Sequence, residues 1–254
     1  YYDHYFQNRY ISKETRKSIK IIEKKAIKNC YRVILASNWA LGKAKIKHKK
    51  MYYKFRLLHM GPSFKRTINT SKINKLISKR SKKKLCLITL SVNWKRKGLE
   101  KVIKLNQIIN EKGINSQLTI IGIKNKIIKD KNINVIDFID KNKNYGEKKI
   151  SKNLIKNHFH ILFSKFEAYG IALVEANSRG LPNISFKIGG IPQIVKNNTS
   201  GLLFDKNEDL ELIANKIIKI FKNYKNYKKL AKSSYEEYKN NFSYDKIVSK
   251  FIKI

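Results

Sequence analysis

The sequence predicts an α/β protein whose main body is an open parallel sheet covered on both faces by helices. From residue 85 onward, short continuous apolar runs alternate with longer stretches whose apolar residues recur at helical spacing. That alternation is what strand–helix–strand units produce. Glycine and proline mark several joints, as at Gly113 and Pro182. The third observation is a change of texture. Residues 67–84 are polar and basic and end in Lys79-Arg-Ser-Lys-Lys-Lys84, which reads as an interdomain linker.

Taken in order, residues 12–29 have helical periodicity and lead into the β-branched run Tyr31-Arg-Val-Ile-Leu-Ala36. Ser37-Asn38 then offers an N-cap for a second helix. Phe55-Arg-Leu-Leu-His59 is a short run that ends at the turn signal Gly61-Pro62-Ser63. Beyond the linker, Leu85–Leu90 reads as a buried strand, and Leu99, Val102, Ile103, Leu105 and Ile109 form a helical stripe closed by Gly113. Strands follow at 117–122 and 133–137, then a helix near 146–157, a strand at 159–163, a helix at 168–179 and a strand at 182–186. The region 208–254 reads as helical throughout. Its tyrosines, Tyr224, Tyr227, Tyr235, Tyr238 and Tyr244, recur at roughly helical intervals and read as packing rather than as a binding platform. A sheet of this kind takes ligands at the C-terminal ends of its strands, so functional residues belong in the loops after them.

Composition narrows the classes. The chain has 254 residues, 42% of them apolar, enough for a packed core. No apolar run reaches the roughly 18 residues of a membrane-spanning helix, and Tyr1-Tyr2-Asp3-His4 has no signal pattern. The opening reads as the interior of a longer protein. Cys30 and Cys86 stand alone, which fits a reducing cytoplasm. His158 and His160 alternate at the start of a strand, with no further residue at metal-ligand spacing, so no metal is expected. The formal charge of +39 invites a polyanionic partner. Only eight of the 57 basic residues are Arg, however, and the excess of Lys comes with much Ile, Asn and Tyr. These four types share AT-rich codons, so base bias alone would give this charge. Two readings stand: composition bias, or affinity for anionic lipid headgroups or acidic polymers.

Chemistry concentrates in Ser164-Lys-Phe-Glu-Ala-Tyr-Gly-Ile-Ala-Leu-Val-Glu-Ala-Asn-Ser-Arg-Gly-Leu-Pro182. Glu167 falls just past a strand. Gly170 opens a helix, where backbone N–H groups favour negative charge. Glu175 lies deeper in that helix between Val174 and Ala176. If the span were wholly helical, the two glutamates would stand about 12 Å apart along the axis, a spacing that suits two ends of one extended ligand. Acids are scarce, 18 in the chain, and a Glu bracketed by apolar residues needs a polar partner.

This segment resembles the signature of the retaining glycosyltransferase family 4, of GT-B fold: Glu, seven residues, Glu, with Tyr-Gly-Ile after the first and Gly-Leu-Pro at the end. Gly189-Gly-Ile-Pro-Gln-Ile-Val195 and Gly201-Leu-Leu-Phe204 also resemble that family in order and spacing, as does the basic turn Leu90-Ser-Val-Asn-Trp-Lys-Arg-Lys-Gly-Leu99. The resemblance implies that Glu167, the catalytic candidate, meets the donor sugar's hydroxyls and that Glu175 holds the ribose. It implies that backbone over Ala168, Tyr169, Gly170 and Ile171 approaches the sugar diphosphate, that Lys97 contacts the diphosphate, and that Ile139, in Phe138-Ile-Asp-Lys141, lies where the base is cradled. Many members carry an Arg where this chain has Val92 and Asn93; Arg96 is the candidate replacement.

The implied architecture is a complete C-terminal Rossmann-like domain with a parallel sheet (85–240), preceded by the tail end of an N-terminal Rossmann-like domain (1–66) and the linker (67–84), with a C-terminal helix (241–254) crossing back to the first domain. The implied activity is metal-independent, cofactor-free transfer of a hexosyl-type sugar from a nucleoside diphosphate sugar to a saccharide or lipid-linked acceptor, with retention, in cell-surface polysaccharide or glycolipid synthesis. The place is the cytoplasm, with peripheral contact at the anionic inner face of the cell membrane. Specific nucleic-acid binding is not expected. The alternatives are a nucleotide-sugar epimerase, an inactive donor-binding fragment, and, from another class, a non-catalytic basic module for anionic membrane or RNA.

Overall fold

The computed structural model describes residues 12–123 and 128–254. Residues 1–11, part of the expected first-domain remnant, lie outside the described residues. Ser12 caps helix α1 (Lys13–Asn29) by accepting the Thr15 amide at 3.1 Å. Strand β1 (Val33–Leu35) leads to Ser37, whose hydroxyl accepts the Ala40 amide at 3.0 Å and starts α2 (Asn38–Lys47), the cap that the sequence predicts. A 3₁₀ turn over Lys49–Lys54 returns the chain into β2 (Phe55–Leu57), parallel to β1 with Val33 opposite Phe55.

The stretch expected as a linker carries a helix of its own. Asn69 caps α3 (Thr70–Ser78), and Ile73 and Ile77 of that helix are fully buried in the main core. Four residues apart, they share one helix face. Three apolar residues, Ile73, Leu76 and Ile77, amid Lys, Ser and Asn make too short a stripe to read as core.

The main body then runs β3 (Leu85–Leu90), α4 (Leu99–Glu111), β4 (Ser116–Ile121), β5 (Ile133–Ile136), α5 (Asn144–Lys156), β6 (Phe159–Leu162), α6 (Ile171–Asn177), β7 (Asn183–Phe186), the single turn α7 (Ile191–Ile194) and β8 (Gly201–Phe204). All six strands pair in parallel, in the order β5-β4-β3-β6-β7-β8. Successive residues of a strand face opposite sides. Leu85 and Leu87 accordingly join the core that holds Leu99, Val102 and Leu105 of α4, while Ile88 joins the one that holds Ile150 and Leu154 of α5. Burial on both faces is what makes these strands continuous apolar runs.

Helix α6 is shorter than the 168–179 predicted. Gly170, at φ +102, turns the chain into the helix, so Glu167, Ala168 and Tyr169 belong to the preceding loop. The helical spacing of about 12 Å expected between Glu167 and Glu175 therefore does not apply. The C-terminal region divides into α8 (Leu210–Lys222), α9 (Tyr224–Asn241) and α10 (Tyr244–Phe251). Asn223 breaks the first pair and caps α9 by accepting the Asn226 amide at 3.1 Å. Tyr227, Tyr235 and Tyr238 are buried, as a packing stripe requires, and the Tyr235 hydroxyl donates to the Ile68 carbonyl at 2.5 Å. Tyr244 donates to the Pro62 carbonyl at 2.5 Å, tying α10 to the segment after β2. Among the described residues no helix is long and apolar enough to cross a membrane.

Candidate active site

The strand order reverses at β3. The chain moves outward from β3 through β4 and β5, then returns to lay β6 on the other side of β3. The loops leaving β3 and β6 therefore diverge, and the crevice between such loops is where open parallel sheets bind ligands. Here they are residues 91–98 and 163–170. The Lys165 amide donates to the Arg96 carbonyl at 2.8 Å, fastening one loop to the other. Gly98, at φ +66, lies so close that a Cβ there would overlap the Phe163 carbonyl. Only glycine permits that approach.

The approach assembles a charged cluster. Glu167, buried, accepts on Oε2 from Lys97 Nζ at 2.5 Å and from the Ser164 hydroxyl at 3.3 Å, with the Arg96 guanidinium 3.7 Å away. Burial lowers the pKa of Lys97, and the Glu167 charge opposes that shift. The loop carrying Glu167 is clamped from behind. The Gly190 amide donates to the Glu167 carbonyl at 3.0 Å, and a Cβ on Gly189 would overlap that same carbonyl. The Gly189-Gly190 pair thus fixes where Glu167 sits.

Glu175 is fully buried in α6. Its Oε1 accepts from the Ser63 amide at 3.3 Å and from Lys141 Nζ. Its Oε2 is buried with no hydrogen-bond partner among the described residues. An unmet buried carboxylate oxygen is costly, and a ligand hydroxyl is a group that could meet it. Lys141 is not among the residues that the sequence singles out. With so many lysines in the chain, no local pattern marks this one, although the loop that holds it was expected near the base.

Two further candidates use their side chains for packing and support. Ile139 buries its side chain with Phe64, Ile150 and Leu154, so that side chain is core, while its neighbour Phe138 is 53% exposed. The Tyr169 hydroxyl donates to the Met60 carbonyl at 2.6 Å and accepts the Met60 amide at 3.0 Å. It is a strut to the segment after β2, and burial raises its pKa. Ala168 and Ile171 are half-buried beside Gly170. Because α6 has only seven residues, its dipole contribution is small, and the lysines dominate the local field.

Toward the N-terminal ends of β6 and β7, away from the crevice loops, lies a neutral polar network. The His160 Nδ1 lies 2.7 Å from Asn183 Oδ1, and Asn183 donates to Asn177 Oδ1 at 2.7 Å, which also accepts from Ser234 at 2.8 Å. Because the Asn183 amide nitrogen is used this way, its Oδ1 receives the His160 Nδ1–H. His158 accepts the Cys86 amide at 2.9 Å and faces the Ser81 carbonyl at 2.7 Å. Burial lowers both imidazoles to about 4, leaving them neutral. Among the described residues, no three His, Cys, Asp or Glu side chains gather as a metal site.

The family described as "Glycosyl transferases group 1" matches residues 71–237, more than half of the chain and all of the loops above. The chain belongs to the glycosyl transferases group 1 family. N-acetyl-alpha-D-glucosaminyl L-malate synthase of Bacillus anthracis is 27% identical over 124 residues, 48% of this chain and 31% of that protein. Among solved structures, Staphylococcus aureus TarM in complex with fondaparinux, alpha-GlcNAc-glycerol and UDP superposes with a TM-score of 0.74 at 18% identity, covering 96% of this chain and 48% of that one. HepE of Anabaena, in complex with UDP and glucose, gives 0.71 at 15% identity, covering 94% and 66%. The fold is therefore that of the GT-B glycosyltransferases, and the chain spans less than two thirds of the length of each of these relatives.

Proposed function

We propose that this group 1 chain binds a nucleoside diphosphate sugar in the crevice between the β3 and β6 loops and serves transfer of the sugar to an acceptor hydroxyl, with retention. The observation that carries the reading is the buried Glu175, whose Oε2 lacks a donor among the described residues, in the helix that follows the loop where Lys97 holds a second glutamate, Glu167. A ribose hydroxyl would satisfy Glu175, and the donor sugar's hydroxyls would meet Glu167. Lys97 and Arg96 would face the diphosphate, whose charge grows as the glycosidic bond breaks. Preset cations in a partly dry site stabilise such charge, so the transfer needs no metal or cofactor in this reading. The UDP and sugar in the HepE and TarM structures, in proteins of the same fold, support a nucleotide sugar as the ligand class. Acceptors of saccharide or lipid-linked type, a hexosyl donor and a role in cell-surface glycan synthesis at the cytoplasmic side of a membrane belong to the same reading.

Calorimetry with a panel of nucleotide sugars and free nucleoside diphosphates tests it. At least one should bind in a 1:1 ratio, and Glu175→Ala should weaken it about tenfold or more, as expected when a hydroxyl–carboxylate bond is removed. Absence of binding across the panel, or indifference to Glu175→Ala, would sink the site assignment.

A further inference from the structure

Away from the crevice, a cavity of about 580 Å³ opens between α3 and α5. This lies within the roughly 300–1,000 Å³ typical of small-molecule sites. One wall carries Lys72 and Lys79; the other carries Lys148, Lys152 and Lys156. The three α5 lysines are spaced four apart, so they share one helix face, a like-charge arrangement that is itself unfavourable. Arg66 lies at the rim.

Two more cations form the floor, and they are buried. Arg80 is 4% exposed and donates to the carbonyls of Ile155, Gly180 and Arg179 and to the Tyr227 hydroxyl. Arg179 is 2% exposed and donates to Ser151, Ser178 and the Arg66 carbonyl, with its guanidinium 4.3 Å from the Phe64 ring. Each acceptor is neutral, and among the described residues no carboxylate lies within ion-pairing distance of either guanidinium, although the more distant charges of Glu147 and Glu175 partly offset the effect of burial on Arg179. Buried charges are ordinarily paired. The single acid lining the cavity, Glu147, spends its two oxygens on the Lys65 and Arg66 amides, each at 3.1 Å.

Lysine is abundant everywhere in this chain, but arginine is not. Three of its eight arginines line this one cavity. Base bias explains lysine number; it does not gather scarce arginines, two of them buried, around a concavity where a single carboxylate faces eight cations.

We propose that the α3–α5 cleft is a second anion site that takes a compact, freely diffusing, multiply phosphorylated small molecule, separate from the diphosphate position at Lys97. A soluble ligand fits better than a lipid headgroup on a bilayer. The deepest cations are buried, and none of the exposed large apolar side chains lines the cleft to enter a membrane.

The test uses tripolyphosphate as probe and the full chain carrying Lys97→Met, so that the crevice is impaired. Calorimetry should show 1:1 saturable binding that Lys72→Gln/Lys152→Gln weakens about tenfold or more, as loss of two charge-assisted contacts predicts. Lys43→Gln/Lys45→Gln on α2, which removes the same charge elsewhere, should leave it unchanged. Circular dichroism confirms that each variant is folded. No saturable binding, or equal weakening by both pairs, overturns the proposal in favour of diffuse surface charge. Binding to phosphatidylserine vesicles that the cleft pair abolishes, without binding of free tripolyphosphate, overturns it in favour of a membrane surface. Because the measurement is made with the crevice impaired, failure here leaves the nucleotide-sugar reading intact, and failure there leaves this one.

Discussion

Lys97 and Glu167 meet at 2.5 Å across the point where the strand order reverses, one carried by the loop after β3 and the other by the loop after β6. The cation expected at the diphosphate is thus held by the carboxylate expected at the sugar. The two tasks therefore compete for one ammonium group, and they separate when Glu167 is neutralised. Glu167→Gln frees Lys97 and should bind free nucleoside diphosphate as tightly as the parent or more tightly. The same variant should bind the nucleotide sugar more weakly, by about tenfold, since an amide is a poorer acceptor for sugar hydroxyls than a carboxylate. Paired titrations check it, and parallel losses for both ligands would refute the division of labour.

Gly98 tests whether the loops must touch. Its positive φ and its contact with the Phe163 carbonyl leave no room for a methyl group. Gly98→Ala should cost about 2 kcal/mol or more, from strained backbone plus displacement of the β6 loop. Because Lys97 precedes it directly, donor affinity should fall as well. Urea titration with calorimetry measures both; a variant of unchanged stability would mean that the loop yields easily.

How much of this was legible in the sequence depended on signal strength. The strand–helix alternation from residue 85 was plain, because strands covered on both faces must be continuously apolar. Ser37 as a cap was plain for the same local reason. Glu167 and Glu175 stood out because acids are scarce and these two sit in a recognisable run. Lys141 and Arg80 did not, since one more basic residue in a strongly basic chain carries no information. The burial of Arg80 comes from carbonyls at 155, 179 and 180, which only tertiary structure brings together. For Ile139 and Tyr169, spacing along an irregular loop does not say which way a side chain points.

Tyr169 points its ring toward the segment after β2. Its hydroxyl holds both backbone groups of Met60, so its task in this structure is mechanical. Tyr169→Phe should destabilise the chain by about 1–3 kcal/mol, the cost of leaving those groups without their partner. It should change nucleotide-sugar affinity far less than Glu175→Ala does. Thermal denaturation and calorimetry on the two variants separate the roles, and a tenfold affinity loss at unchanged stability would give the Tyr169 hydroxyl a binding role instead.

The buried imidazoles make stability depend on pH in a defined direction. Unfolded, His158 and His160 take up protons as pH falls through 6.5; folded, they do so only near about 4. Between those values the unfolded chain holds more protons, so stability rises with pH across the window. The contribution is complete above pH 6.5 and disappears as pH falls towards 4. A drop of this size corresponds to on the order of 3 kcal/mol for each imidazole. His158→Gln/His160→Gln keeps a donor and an acceptor at both places but cannot take up a proton in this range. Midpoints of urea unfolding between pH 6.5 and 4.5 should therefore fall steeply for the parent chain and much less for the double variant. Equal slopes would mean that the carboxylates, rather than these two histidines, set the acid sensitivity of the fold.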